Sequence, residues 1–558
     1  MVRMDKTFTI LLGLLVASLF TSKVLAQKYE AENATLAGGA SKIACAGCSG
    51  GSAVAQGEGN LTFTVTIPTE GFYNIYIKAA APSGDKINKL EIGGNTLDFS
   101  LKQNNQYTTH KLVSAQKQAA GQHQVKISKS WGWIDIDYIE FESVDGTDRF
   151  DLNQTLVTPN PTKEATALYN FLLDNYGDKI ISGVMTLNSF DESEWLKENT
   201  GKEPALLGID FMHSGRDYDW YDDETPINDA KTWYSRNGIP ALMWHWRDPS
   251  RTTEEFYTRT NTKPEGTTFD ISRISDPTSA EYTAMLADID YVAGMLKELQ
   301  DQNVPVIWRP LHEAAGGWFW WGAKGPAPLK ALWHLMYDRI VNHHGLRNLI
   351  WVWTREPDDD AWYPGDEYVD IVGRDIYKDG DHGSQTLEFS DMNSRYGGKK
   401  MLTLSEVGSF PDVDNLVSDG AAWSWYMPWY GGYTRDSKYN SLALWRKMFA
   451  HEYVITLDEM PQLSTYERQD PVTEPTGLWN SQKEKPAFVA YPTMVVRDLV
   501  ISSERRMKTV TVYNAQGKLV KKQNIGGTTA TVSFTDLAPG LYLVKTNLNG
   551  AAVRIIKK

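Results

Sequence analysis

Three kinds of hydrophobic spacing divide the chain. From Gln27 to about Val144 apolar and polar residues alternate: Leu61, Phe63, Val65 and Ile67, a turn at Pro68 to Gly71, then Tyr73, Ile75 and Ile77. A period of two on both sides of a turn predicts a hairpin, and short strands repeated in this way predict a β-sandwich over 27–144. After a polar connector, Asp145 to Pro161, continuous apolar runs read as buried strands at Ile180 to Met185, Ala205 to Phe211, Ile239 to Trp246, Val304 to Glu313, Leu349 to Glu356, Val369 to Tyr377, Lys400 to Gly408 and Ala422 to Tyr430. Helical spacing lies between them, as in Tyr282, Met285, Leu286, Ile289, Val292, Ala293, Leu296 and Leu299. Strands alternating with helices over 150–463 predict a (β/α)8 TIM barrel, with functional residues at the C-terminal strand ends. After a linker over 464–486, alternation returns in Thr509 to Tyr513 and Leu537 to Lys545, and predicts a small C-terminal β-sandwich over 487–558.

A length of 558 residues suits such a multidomain chain. Arg3 and Lys6, the apolar run Phe8 to Phe20, and Val24-Leu25-Ala26 form a signal peptide over 1–26, cleaved after Ala26. The apolar run is too short to span a membrane, so an exported, soluble protein is expected. Cys45 and Cys48 are the only cysteines. One pair supplies too few ligands for a zinc site, and export favours a local disulfide. The net charge of −14 excludes a nucleic-acid partner, which would require an excess of Lys and Arg. Aromatics reach 12%, with 20 Trp, which serves either sugar stacking or a large core.

Candidate chemistry concentrates in WRPLHEAAGGWFWWG, Trp308 to Gly322, where Arg309, His312 and Glu313 run into three indoles. A core strand followed by an aromatic patch would explain the tryptophans but not the crowded charged groups. The other strand ends carry His245-Trp246, Glu356, Asp375-Ile376-Tyr377, Glu406 and Trp425 to Tyr430. Glycosidic cleavage needs two carboxyl groups, and Glu313 on the fourth strand faces Glu406 on the seventh.

The strings RPLHE with GWFWWG and LSEVG, together with His245-Trp246, Asp375-Ile376-Tyr377 and Val454 to Asp458, resemble glycoside hydrolase family 26. The resemblance implies a retaining enzyme with Glu313 as general acid/base and Glu406 as nucleophile, acting on β-1,4-mannan. β-Glucan and xylan are the alternatives within the family, and a non-catalytic polysaccharide-binding protein is the alternative outside it. No cofactor is expected for catalysis. Tyr377 and Arg309 would hold Glu406 ionised, and His312 would orient the acid or bond the sugar. Trp318 and Trp425 would form stacking walls, His245 and Asp375 would line the glycone side, and Trp246 would also bind substrate. Ala314-Ala315 replaces the Met-Asn that the family often carries after its His-Glu pair.

At the N-terminus, Tyr29-Glu30-Ala31-Glu32 and Ser130 to Tyr138 resemble the two ends of a family 35 (or related family 6) carbohydrate-binding module. The resemblance implies a structural Ca2+ held by Glu30, Glu32 and Asp137, with Trp131 or Trp133 stacking on a sugar. The strings VYNAQGKLV, LAPGLYLVK and RIIKK resemble the type A C-terminal sorting domain of the type IX secretion system. This implies outer-membrane secretion machinery as a partner, and release from or attachment to the cell surface. A monomer is expected.

Overall fold

The computed structural model describes residues 26–144, 146–357, 359–468, 488–491, 494–503, 505–514, 518–548 and 553–558. The expected signal peptide lies outside them up to residue 25, as do residues 469–486 of the expected linker and residue 487.

Residues 27–144 form two facing antiparallel sheets, one built on Gly71–Ala81, Asn104–Gln118 and Asp135–Val144, the other on Asn60–Ile67, Lys86–Ile92 and Gly121–Trp131. The alternating residues Leu61, Phe63, Val65, Ile75 and Ile77 are buried between them. Cys45 and Cys48 are joined in a disulfide.

The next eight strands are parallel and close on themselves. They are β1 (Ile180–Met185), β2 (Leu206–Asp210), β3 (Ile239–Met243), β4 (Val306–Arg309), β5 (Leu349–Arg355), β6 (Ile371–Ile376), β7 (Met401–Val407) and β8 (Trp425–Pro428). Each pairs with the next, and β1 pairs with both β8 and β2, so no sheet edge is left open. The helix Ala280–Asp301 buries Met285, Ile289, Val292 and Leu296 along one side, as its spacing predicts.

The polar connector is not a free tether. Val157 N–H donates to Asp370 Oδ1 at 2.7 Å, and Asp151 and Asn153 bond to the Gly398 and Lys399 carbonyls. The β-sandwich itself packs on the barrel helix Thr386–Arg395, whose Leu387 is buried in the sandwich core. The Arg149 guanidinium lies against Phe72 of the sandwich and Phe150 and Phe389 of the barrel, and donates to the Gly420 carbonyl. The expected start of the linker is likewise packed: the Tyr466 ring meets Phe171, and Arg468 pairs with Asp174 at 3.0 Å.

The C-terminal unit, described by itself, holds two small sheets around Phe488, Leu499, Val510, Val512, Phe534, Val544 and Ile555. Thr509–Asn514 pairs with Gly540–Thr546, which joins the two apolar stretches expected there. Residues 515–517, within the string VYNAQGKLV, lie outside the described residues.

Candidate active site

β4 delivers Arg309 to the barrel interior and then breaks. Pro310 has no N–H to continue a ladder, and both Leu311 and Glu313 have φ near 51°. Two left-handed, non-glycine residues in three positions are sustained only where the surroundings fix them, and the turn they make aims Glu313 into the barrel mouth. Its Oε2 accepts the indole N–H of Trp318 at 3.1 Å. That indole lies across Gly316, where an added Cβ would come within 2.1 Å of the ring.

The β6–β7 register is offset at the same level. Gly373 pairs with Thr403 but Asp375 pairs with Glu406, so a one-residue bulge on β7 brings the two acids side by side. A Cβ at Gly373 would meet Ser405 Oγ at 2.3 Å, so only glycine lets that hydroxyl reach Asp375 Oδ1, at 2.6 Å. Arg309 lies between the acids: Nη1 donates to Asp375 Oδ2 at 2.9 Å and Nη2 to Glu406 Oε2 at 2.7 Å. The Tyr377 hydroxyl donates to the other oxygen of Glu406. Both contacts expected of Glu406 are therefore made. One carboxyl oxygen from each of Glu313, Asp375 and Glu406 lies within 4.8 Å of the others. Such a trio has the donor chemistry of a cation site, but the Arg309 guanidinium already supplies positive charge there.

Burial, with Asp375 and Glu406 adding negative charge, pushes the Glu313 carboxyl up to about 9. Burial and Asp375 also raise Glu406, against Arg309 and Tyr377, which favour its charged form. The shared proton therefore belongs on Glu313, whose protein donor is one indole N–H, while Glu406 accepts from a guanidinium and a phenol.

On the β3 side, His245 Nδ1 meets Asp210 Oδ2 at 2.6 Å, and its Nε2 is 3.2 Å from His312 Nε2. If Asp210 accepts the Nδ1 proton, His245 Nε2 is left to accept from His312. Burial holds the His312 ring well below its ordinary pKa, so it is neutral. Phe256, Phe319 and Trp429 surround His245 with ring centroids 4.9, 5.8 and 5.7 Å away.

Several expected contacts fall elsewhere. Trp246 is 1% exposed, its indole N–H bonded to Asp288 and its ring stacked on Trp244, so it presents no face to a sugar. Trp425 is 2% exposed and lies beneath the carboxyl groups, among Arg309, Ser405 and Met427. Of the three indoles after Glu313, Trp320 and Trp321 are core, bonded to the Trp246 and His312 carbonyls, and only Trp318, at 41%, is exposed. Ala314 is buried against Gly322. Glu356 pairs with Arg374 at 3.2 Å, and burial pushes its carboxyl up to about 7. Trp429 falls within the strand-end stretch Trp425 to Tyr430, whereas Asp210, Ser405, Phe256 and Phe319 were not singled out by sequence, although Asp210 ends β2 and the strand-end rule would have found it.

In the sandwich, Ser49 Oγ donates to Glu30 Oε1 at 2.6 Å, and Glu32 Oε1 lies beside Gly50. Glu30 Oε2 and Glu32 Oε2 are buried without hydrogen-bond partners, which suits a hard cation. Asp137 differs, because it is already paired with Lys78 at 3.0 Å and accepts from Ser49 N–H. Trp131 is 66% exposed and Trp133 half-buried.

A closed parallel barrel whose strand ends hold two carboxyl groups, Glu313 and Glu406, with one oxygen of each within 4.8 Å of the other is the site of a glycoside hydrolase. Residues 157–459 match the model of Glycosyl hydrolase family 26, and the chain belongs to that family. Residues 27–170 match the family 35 carbohydrate binding module, and 489–558 the secretion system C-terminal sorting domain. A mannan endo-1,4-beta-mannosidase of Thermothelomyces thermophilus is 36% identical over 443 residues, covering 78% of this chain and 90% of that protein. Mannan endo-1,4-beta-mannosidase B of a Piromyces species is 36% identical over 474 residues, covering 81% and 80%. Among solved structures, a ruminal GH26 endo-beta-1,4-mannanase superposes with a TM-score of 0.63 at 28% identity, over 76% of this chain and 99% of that one. The Podospora anserina GH26-CBM35 beta-(1,4)-mannanase superposes at 0.55 and 34% identity, over 79% and 99%.

Proposed function

We propose that the chain is a secreted, retaining endo-β-1,4-mannanase. The observation that carries the reading is the proximity of Glu313 and Glu406, one carboxyl oxygen of each lying within 4.8 Å of the other. An inverting enzyme holds its carboxyl groups about 6.5–9.5 Å apart to admit a water, whereas direct attack on the anomeric carbon needs about 5–5.5 Å. Glu406 forms the bond to that carbon while Glu313 gives its proton to the leaving oxygen. Once Glu406 is esterified its charge is gone, the Glu313 pKa falls, and Glu313 takes the proton of the water that completes hydrolysis. Arg309 and Tyr377 hold Glu406 ionised until attack.

The relatives over most of this chain's length carry mannan endo-1,4-beta-mannosidase in their names, which supports mannan as the polymer. The β-sandwich would bind polysaccharide at the end crossed by Trp131 to Asp135. The buried polar atoms of Gln56, Asn88 and Asp135 without partners, beside the exposed Trp131, favour a polar ligand there. Calcium would sit on Glu30 and Glu32. The sorting domain implies delivery by the type IX machinery, after the signal peptide is cleaved following Ala26.

Incubation with galactomannan, mixed-linkage β-glucan and xylan, with products sized and their initial anomeric form read by NMR, tests the reading. Internal cleavage of mannan with β-configured new ends is expected. Preference for another polymer, or α-configured ends, would overturn the substrate or the stereochemistry respectively.

A further inference from the structure

Glu313 is aimed by a backbone turn that most residues avoid. Leu311 and Glu313, on either side of His312, both have φ near 51°, and such a turn persists only where its surroundings over-determine it. Two polar contacts hold it at His312. The Trp321 indole N–H donates to the His312 carbonyl at 2.9 Å, and the His312 ring Nε2 lies 3.2 Å from His245 Nε2. Phe319 and Trp321 pack against the same ring, with centroids 5.0 and 5.7 Å away. The other ring nitrogen, Nδ1, is buried without a hydrogen-bond partner among the described residues. The contact with His245 is therefore what ties this ring by hydrogen bonding.

That tie needs one nitrogen to donate and the other to accept. Asp210, the last residue of β2, turns both carboxylate oxygens to His245: Oδ1 accepts its backbone N–H at 2.9 Å, and Oδ2 meets Nδ1 at 2.6 Å. A carboxylate only accepts, so the His245 proton sits on Nδ1 and Nε2 is left a bare acceptor. His312 then donates from Nε2, and neither ring is left with a buried N–H that lacks an acceptor.

We infer that Asp210 is a positioning residue for the general acid: by fixing the tautomer of His245 it supplies His312 with an acceptor, and so holds the turn that carries Glu313. It acts from two strands away, through the end of β3, on the loop that follows β4. The inference rests on the reading of Glu313 as the acid.

Asp210→Asn keeps the shape of the side chain and exchanges one acceptor for an NH2. The His245 backbone N–H needs the remaining oxygen, so the NH2 faces Nδ1 and the His245 proton moves to Nε2. Two N–H groups then meet, or His312 shifts its own proton to Nδ1, where nothing accepts it. His312→Leu removes the tie from the other end and leaves Asp210 and His245 in place. The readout is kcat/KM, which reports the glycosylation step, on two aryl β-mannobiosides. A dinitrophenyl group leaves without a proton, whereas an unsubstituted phenyl group needs one from the acid. Each variant is expected to lower the phenyl-to-dinitrophenyl ratio by about a hundredfold, as for a catalytic group displaced by about 1 Å. A smaller folded fraction scales both rates alike and leaves the ratio untouched. The double variant should be no worse than either single one, because both act on the same tie. An unchanged ratio in either single variant, or losses that multiply in the double one, would overturn the inference alone. If Glu313→Ala also left the ratio unchanged, the reading of Glu313 as the acid would fall with it.

Discussion

Arg309 Nη2 donates to Glu406 Oε2 at 2.7 Å while Nη1 of the same guanidinium donates to Asp375 Oδ2 at 2.9 Å. One buried cation thus serves two acids, and its planar fork sets their spacing. Removing it leaves two carboxylates buried without compensation. Arg309→Ala is expected to lower kcat by about 10²–10³-fold, as for loss of a preorganised charge partner, and to destabilise the fold by about 3–5 kcal/mol. Arg309→Lys, with one ammonium in place of the fork, should recover stability more than kcat. Kinetics paired with denaturant melts separate the two effects.

Asp375 is the largest charged contributor to the raised Glu313 pKa. The acid must be protonated to work, so activity should fall on the alkaline side as pH passes about 9 in the free enzyme. Asp375→Asn removes a negative neighbour and should move that alkaline limb of kcat/KM to lower pH, by about a unit. A limb that stays in place would separate Asp375 from the electrostatics of the acid.

A carboxyl whose pKa is raised on folding binds its proton more tightly in the native state than in the unfolded one. Its stabilising contribution is complete below the unfolded value of 4.5 and is lost as pH rises toward about 9. Glu313→Gln should therefore raise the melting temperature at pH 8, by about 2–4 °C or more, and leave it nearly unchanged at pH 4. Equal shifts at both pH values would point to packing and not to charge.

For the sandwich, calcium should raise the melting temperature and a chelator lower it. A Glu30→Gln/Glu32→Gln double variant should lose that response. Asp137→Asn should destabilise with or without calcium, because Asp137 is held by Lys78 and Ser49. A melting curve insensitive to calcium in the unaltered protein would dismiss Glu30 and Glu32 as ligands.

The eight barrel strands were legible because each is a short apolar run, and each is found within its expected stretch. Their ends were less so. The run Val304 to Glu313 shrinks to Val306–Arg309 because Pro310 ends the ladder and Leu311 and Glu313 adopt left-handed backbone. Glu313 and Glu406 could be picked out because charged groups inside apolar runs need a reason. Trp246 and Trp425 misled for the converse reason: in a strand buried on both sides, an indole near the strand end serves the core as readily as the cleft. The β7 bulge and the docking of the sandwich on Thr386–Arg395 depend on partners distant in sequence, and no local pattern announces them.

The central claim, that Glu406 attacks and Glu313 serves as acid and base, is tested most directly by azide rescue of the two alanine variants on an activated aryl β-mannoside. Glu406→Ala should be inactive alone and should yield the inverted α-mannosyl azide when azide is added, while Glu313→Ala should yield the retained β-azide. The inverted azide from Glu313→Ala, with none from Glu406→Ala, would contradict the assignment.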